Sequence, residues 1–144
     1  MKQINRPGGK AVTVYADGSI TTRHGGAGAI VLNASGAVVL LANRVLPLMT
    51  SSEAEYAGLI LGMELALKAD AALAEIRLDS EVVVNQMAGY YAVNSPRLKT
   101  VHYEACNLAR QFARVVYMHV PREENALADT LAAEASAGRE WRLA

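Results

Sequence analysis

Four acidic residues carry the most chemistry in this sequence. Asp17 follows Ala11-Val-Thr-Val-Tyr-Ala16, a short run rich in β-branched residues, and Asp79 follows Glu75-Ile-Arg-Leu78. Both acids stand at the carboxyl ends of predicted strands. Glu55 falls in the first turn of a helix that Thr50-Ser-Ser-Glu53 opens, and Asp129 lies in Asn125-Ala-Leu-Ala-Asp129-Thr-Leu-Ala132, almost surrounded by Ala and Leu. If the two strands are neighbours, Asp17 and Asp79 face one crevice. Four converging carboxylates repel one another unless cations fill the gap between them. Hard divalent cations with oxygen ligands suit such a set. Two of them ~4 Å apart would clamp the attacking and leaving oxygens of a phosphodiester.

Each acid also has a purely structural alternative. Asp17-Gly18 is a turn signal. Asp79 is a candidate N-cap for the helix that follows it. Glu55 is a candidate capping-box partner of Ser52, although Glu53 already fits that role for Thr50. Asp129 is harder to account for structurally, because an acid on an apolar helix face needs a partner.

The elements that must position these residues follow from period and punctuation. Gly28 to Asn33 and Ala37 to Val45 read as a second and a third strand, joined by the tight turn Ala34-Ser35-Gly36. With the first strand they make an antiparallel meander. The helix opened at Thr50 runs to about Ala69, and Gly58 and Gly62 share one of its faces, so something packs closely there. Glu75 to Leu78 is a fourth strand and Ser80 to Ala88 a short helix. Ser95-Pro96 begins another helix, with proline at its first position. Its apolar stripe is Leu98, Val101, Ala105, Leu108 and Phe112. Val115 to Met118 is a fifth strand, and Glu123 to about Ala137 the last helix. The fold class is α/β: a five-stranded mixed sheet, three antiparallel strands then two parallel, with helices on both faces. Ligands of such sheets sit beyond the carboxyl ends of the parallel strands.

Composition sets the bounds. The 144 residues are 52% hydrophobic and 19% charged, which describes one globular domain with a full core. Residues 1–9 read as a flexible leader, 10–138 as the domain and 139–144 as a C-terminal tail. Lys+Arg and Asp+Glu are 14 each, so no strongly basic arm announces a nucleic-acid binder. The single cysteine, Cys106, excludes an internal disulfide and a Cys/His zinc site, and suits a reducing cytoplasm. The longest apolar stretch, Ala57 to Leu67, is interrupted by Glu64 and is too short to span a bilayer.

The ordered set Tyr15-Ala-Asp17-Gly-Ser19, Thr50-Ser-Ser-Glu-Ala-Glu55-Tyr, Leu78-Asp79-Ser80 with Val83-Val-Asn-Gln86, and His119-Val-Pro-Arg-Glu-Glu-Asn125 through Ala132 resembles type 1 ribonuclease H. The match runs over about residues 11 to 135. The resemblance implies a ribonuclease H-like fold and hydrolysis of the RNA strand of RNA/DNA hybrids, leaving 5′-phosphate and 3′-hydroxyl ends. It implies two Mg²⁺ or Mn²⁺ ions held by Asp17, Glu55, Asp79 and Asp129, with Asp17 bridging both. It implies substrate contacts at Gly18 and Ser19, at Thr50, Ser51 and Ser52, and at Asn125. It implies a role for His119 in proton movement or product release. Arg122, in the loop before the Asp129 helix, is the expected phosphate contact.

This chain also departs from the pattern. Ser51-Ser52 stand where relatives often carry paired Asn, and Glu81 where they carry Gln. Gly89 to Pro96 joins two helices directly, leaving no room for the long basic protrusion of some bacterial members. The implied form is the short bacterial or archaeal one, acting as a monomer on an RNA/DNA hybrid with no membrane partner.

Other residues have plainer accounts. His24-Gly-Gly-Ala-Gly28 resembles a phosphate-cradling loop, but a strand follows it instead of a helix. Cys106 reads as packing, and His102 as a residue of a polar or boundary face. Arg97, Lys99, Arg110, Arg114 and Arg122 make the second half locally basic, and most of them read as solvated helix residues. Two other functions remain open on sequence: a non-catalytic nucleic-acid-binding module, and a related-fold nuclease or recombinase acting on DNA.

Overall fold

The computed structural model describes residues 9–141. The expected leader 1–9, apart from Gly9, and residues 142–144 of the expected tail lie outside the described residues. Five strands form one sheet: β1 (Lys10–Ile20), β2 (Gly25–Leu32), β3 (Val38–Leu46), β4 (Ala71–Leu78) and β5 (Arg114–His119). Their order across the sheet is β3-β2-β1-β4-β5. The first three pair antiparallel, and β1, β4 and β5 run parallel. The helices are α1 (Ser51–Lys68), α2 (Glu81–Met87), α3 (Pro96–Ala109) and α4 (Ala126–Ser136). Among the described residues no helix is long and apolar enough to cross a membrane.

The core lies between the sheet and α1. Val12, Val14 and Ala16 of β1 alternate inward, as do Ala74, Ile76 and Leu78 of β4, and all are buried. Tyr56, Leu59 and Met63 of α1 complete this layer. Ala105 of α3 and Phe112 just beyond it join the core, with Leu98, Val101 and Leu108 partly buried against it. The opposite face of the sheet belongs to α4. A Cβ at Gly28 would lie 2.5 Å from the backbone nitrogen of Ala132, so only glycine lets that helix sit so low on β2.

Several elements differ from the sequence expectation. β1 does not stop at Asp17-Gly18: those residues pair with Gly28 and Ala27, and the strand runs on to Ile20. The turn signal is overridden by an available partner strand. β2 begins at Gly25, so the glycine-rich stretch is strand throughout. β4 starts four residues early, at Ala71, because Ala71, Leu73 and Ala74 pair with β1 across a register shift, although the stretch lacks strong strand formers. The last helix is shorter than expected. Arg122–Asn125 forms a 3-10 turn, and the α-helix starts only at Ala126. Residues 139–141 are tied down: the Val45 amide donates to Glu140 Oε2 at 3.1 Å, and the Trp141 amide to Asn43 Oδ1 at 2.5 Å.

Candidate active site

The register of the parallel strands places the first two acids. Tyr15 pairs with Arg77 as the last rung of the β1–β4 ladder. Asp17 and Asp79 each lie two residues beyond that rung, so they stand level. The rung itself is clasped, with Arg77 donating to the Tyr15 hydroxyl at 2.5 Å and to Glu75 at 2.7 Å. Asp79 does not cap α2. The cap is Ser80, whose hydroxyl accepts from the Val83 amide, and Asp79 is left facing the crevice.

Helix α1 delivers Glu55. Thr50 and Glu53 form the capping box: Glu53 N–H donates to the Thr50 hydroxyl at 3.2 Å and Thr50 N–H to Glu53 at 3.0 Å. The Thr50 hydroxyl in turn donates to Glu53, and Arg97 lies 3.6 Å from the same carboxylate. Those donors hold the Glu53 carboxyl below its ordinary range, the Thr50 backbone first. Glu55, two residues on, points to the sheet instead. It comes close because Gly58 lies on the strand: a Cβ there would be 2.2 Å from the Asp17 carbonyl oxygen. The face shared by Gly58 and Gly62 is therefore the β1 contact, with Gly62 over Val14 and Ala16.

Asp17, Glu55 and Asp79 offer carboxylate oxygens that all lie within 4.8 Å of one another. Asp17 is buried, at 5% exposure, and the other two are half-buried. Burial pushes the Asp17 carboxyl from 3.8 up to about 8. The Asp79 charge, a hydrogen bond shared with Asp129 and the Glu55 charge add to this, while the Gly18 backbone N–H opposes it. Glu55 rises to about 7, by burial and then by Asp79, against the pull of Arg122. Asp129 is half-buried on α4 and reaches the group through Asp17. Together with Gly18, Ser19 and Arg122, the four acids line a cleft of about 320 Å³. A larger hollow of about 630 Å³, at the other end of the sheet between Val12, Leu40 and Lys68, contains none of these residues.

The remaining candidates divide. Ser51 and Ser52 are exposed on the first turn of α1 and make no side-chain hydrogen bond among the described residues. Arg122 is exposed at the rim of the cleft. His119 is exposed as the last residue of β5, opposite Leu78 and outside the cleft lining. Thr50 has its hydroxyl engaged by Glu53, as above. Asn125, grouped on sequence with the substrate contacts, is 1% exposed and donates its amide to the Ala16 carbonyl at 2.9 Å. Cys106 is half-buried with its sulfur 3.6 Å from His102, and burial raises its thiol. One support was missed on sequence. Tyr56, the residue after Glu55, donates its hydroxyl to Gln86 of α2 at 2.7 Å, tying the Glu55 helix to the helix that follows Asp79. The available signal was that a buried tyrosine needs a partner for its hydroxyl.

Comparison with known proteins agrees with this geometry. A family model described as Reverse transcriptase-like matches residues 15–135. The Bifunctional protein Rv2228c of Mycobacterium tuberculosis is 39% identical over 127 residues, covering 86% of this chain and 35% of that protein. The chain thus spans about a third of the length of such relatives. The solved N-terminal RNase H domain of that protein superposes with a TM-score of 0.86 at 36% identity, covering 90% of this chain and 95% of that domain. Ribonuclease HI of Halobacterium salinarum is 33% identical over 129 residues, covering 88% of this chain and 65% of that protein. LC11-RNase H1, solved in complex with an RNA/DNA hybrid, gives a TM-score of 0.81 at 30% identity, covering 88% and 97%. Matched in sequence and topology, and with only residues 88–95 between α2 and α3, the chain belongs to the type 1 ribonuclease H family, in the short form without a basic protrusion.

Proposed function

We propose that this chain is an endoribonuclease that hydrolyses the RNA strand of RNA/DNA hybrids, leaving 5′-phosphate and 3′-hydroxyl ends. The observation that carries this is the cluster of Asp17, Glu55 and Asp79, crowded within 4.8 Å and joined by Asp129. Structural ion pairs do not look like this, because the group contains only acids. The donor set fits hard divalent cations. Buried carboxylates in mutual repulsion hold protons in the absence of counter-charge, and a cation replaces those protons. Asp17, Glu55, Asp79 and Asp129 would hold two Mg²⁺ or Mn²⁺ ions. When bound, the ions supply charge stabilisation to the attacking and leaving oxygens of the phosphodiester.

The chain's own residues do the rest. Arg122, at the rim, offers a guanidinium to a phosphate of the hybrid. Ser51 and Ser52 present free hydroxyls that both donate and accept, as does a ribose 2′-hydroxyl. Gly18 and Ser19 line the same cleft. His119, paired with Leu78 at the end of β5 and exposed, is the residue to which the family resemblance gives a part in proton movement or product release. The hybrid complex of LC11-RNase H1 supports the choice of substrate. The test is incubation with labelled hybrid, duplex DNA and duplex RNA, each with Mg²⁺, Mn²⁺ or EDTA. Cleavage confined to the RNA of the hybrid, and absent in EDTA, is expected. Equal cutting of duplex DNA, or cutting in EDTA, would overturn the assignment.

A further inference from the structure

Asn125 sits at the junction of the 3-10 turn and α4, buried inside the fold. Its Nδ2 donates to the Ala16 carbonyl oxygen at 2.9 Å. Ala16 is the first residue of β1 beyond the last parallel rung, Tyr15 with Arg77. There the ladder to β4 has ended, and the Asn125 side chain supplies a donor to the strand. The next residue is Asp17. Asn125 also stands about one helical turn before Asp129 on the same stretch of chain. One amide therefore joins the backbone behind Asp17 to the start of the helix that carries Asp129. Its own Oδ1 is buried with no hydrogen-bond partner among the described residues. The donor half of the side chain is therefore the half that the fold engages, through the Ala16 carbonyl.

We propose that Asn125 is a positioning residue for the acidic cluster, setting the separation of Asp17 from Asp129 and thereby the grip on divalent cations, without touching the hybrid. This rests on the ribonuclease H assignment above. Partners that orient ligating carboxylates typically change metal affinity by ~10–100-fold when removed. Phe112 supplies the control: it is buried in the core just beyond α3 and does not line the acidic cleft, so Phe112→Leu lowers stability away from the acids.

The experiment titrates MnCl₂ calorimetrically into wild type, Asn125→Ala and Phe112→Leu, and measures thermal unfolding and hybrid kinetics of each. Both variants should unfold at lower temperature. Only Asn125→Ala should bind Mn²⁺ on the order of tenfold more weakly. Its kcat should fall and partly recover at high Mn²⁺, with KM for the hybrid unchanged. Wild-type Mn²⁺ affinity in Asn125→Ala would overturn the inference, and so would a raised KM with cation affinity intact, which would mark a substrate contact. If Asn125→Ala does not fold, Asn125→Ser is measured in the same way. Failure of wild type itself to cleave the hybrid would sink the ribonuclease assignment, whereas an active wild type with an unaffected variant would sink only the role of Asn125.

Discussion

Asp17 is acidic in name and close to neutral in the metal-free fold. Its carboxyl is held near 8 and that of Glu55 near 7, against ordinary values of 3.8 and 4.5. The folded chain therefore binds more protons than the unfolded chain between about pH 4 and pH 8. The stability these groups contribute is fully present below the unfolded values and lost as pH rises through the folded ones. Asp17→Asn should remove most of that loss. In EDTA its Tm should exceed that of wild type by a margin that opens from pH 4 to pH 8, while hybrid cleavage is abolished. A margin that closes with rising pH would contradict the direction of the shifts. Glu53 and Glu55 separate two roles that sequence spacing alone left adjacent. Glu53→Ala should cost about 1 kcal/mol of stability through the lost cap and leave cleavage near wild type. Glu55→Gln should do the reverse, and exchanged phenotypes would mean that the wrong helix acid has been assigned.

At the scale of elements, the contact of α1 with β1 sets the site. Alanine at Gly58 would gain up to about 1 kcal/mol in helix propensity. Its methyl group would meet the Asp17 backbone, which cannot give as a side chain would, at a cost of ~1–3 kcal/mol. Gly58→Ala should therefore be less stable than wild type and bind Mg²⁺ more weakly, because Glu55 retreats with its helix. Unchanged affinity by calorimetry would show that the helix re-seats without loss. Sequence showed that Gly58 and Gly62 share a face, but not which strand lies beneath them, since that is a tertiary fact. The same limit explains the other differences. Capping residues such as Thr50 and Ser95 act within a few residues and were legible. The length of β1 beyond Asp17 depends on β2 offering partners, and the early start of β4 depends on β1 doing so, and no local propensity encodes either. The four acids could be picked out because Asp129 resists a structural account and the ordered motifs around all four resemble one family, whereas their meeting in one cleft is a tertiary fact. The burial of Asn125 could not be read, because a motif fixes a residue's position in the chain and leaves open which way its side chain faces.

For the whole molecule, charge decides how a polyanion is held. The chain has 14 basic and 14 acidic residues, and α2 passes to α3 with no basic insertion between them. Few counterions are then released on binding, on the order of 3–5 phosphates' worth. Hybrid affinity should be modest and its dependence on salt shallow. Arg122→Ala should weaken binding and lower the slope of log affinity against log salt by about one. A slope typical of ten contacts would show that some other surface carries the substrate.

The ties that hold residues 139–141 to β3 also have a consequence for self-association. β3 is the outermost strand on its side of the sheet, and its Val45 amide is taken up by Glu140, while Asn43 clamps both Arg139 and Trp141. Those few residues act as a guard along an otherwise open row of backbone donors and acceptors, the arrangement through which sheets of separate molecules pair and aggregate. Truncation after Gly138 would remove the guard and leave the buried Asn43 amide short of partners. The shortened chain should sediment as concentration-dependent oligomers under conditions where the full chain does not, even though every residue of the acidic cleft is retained.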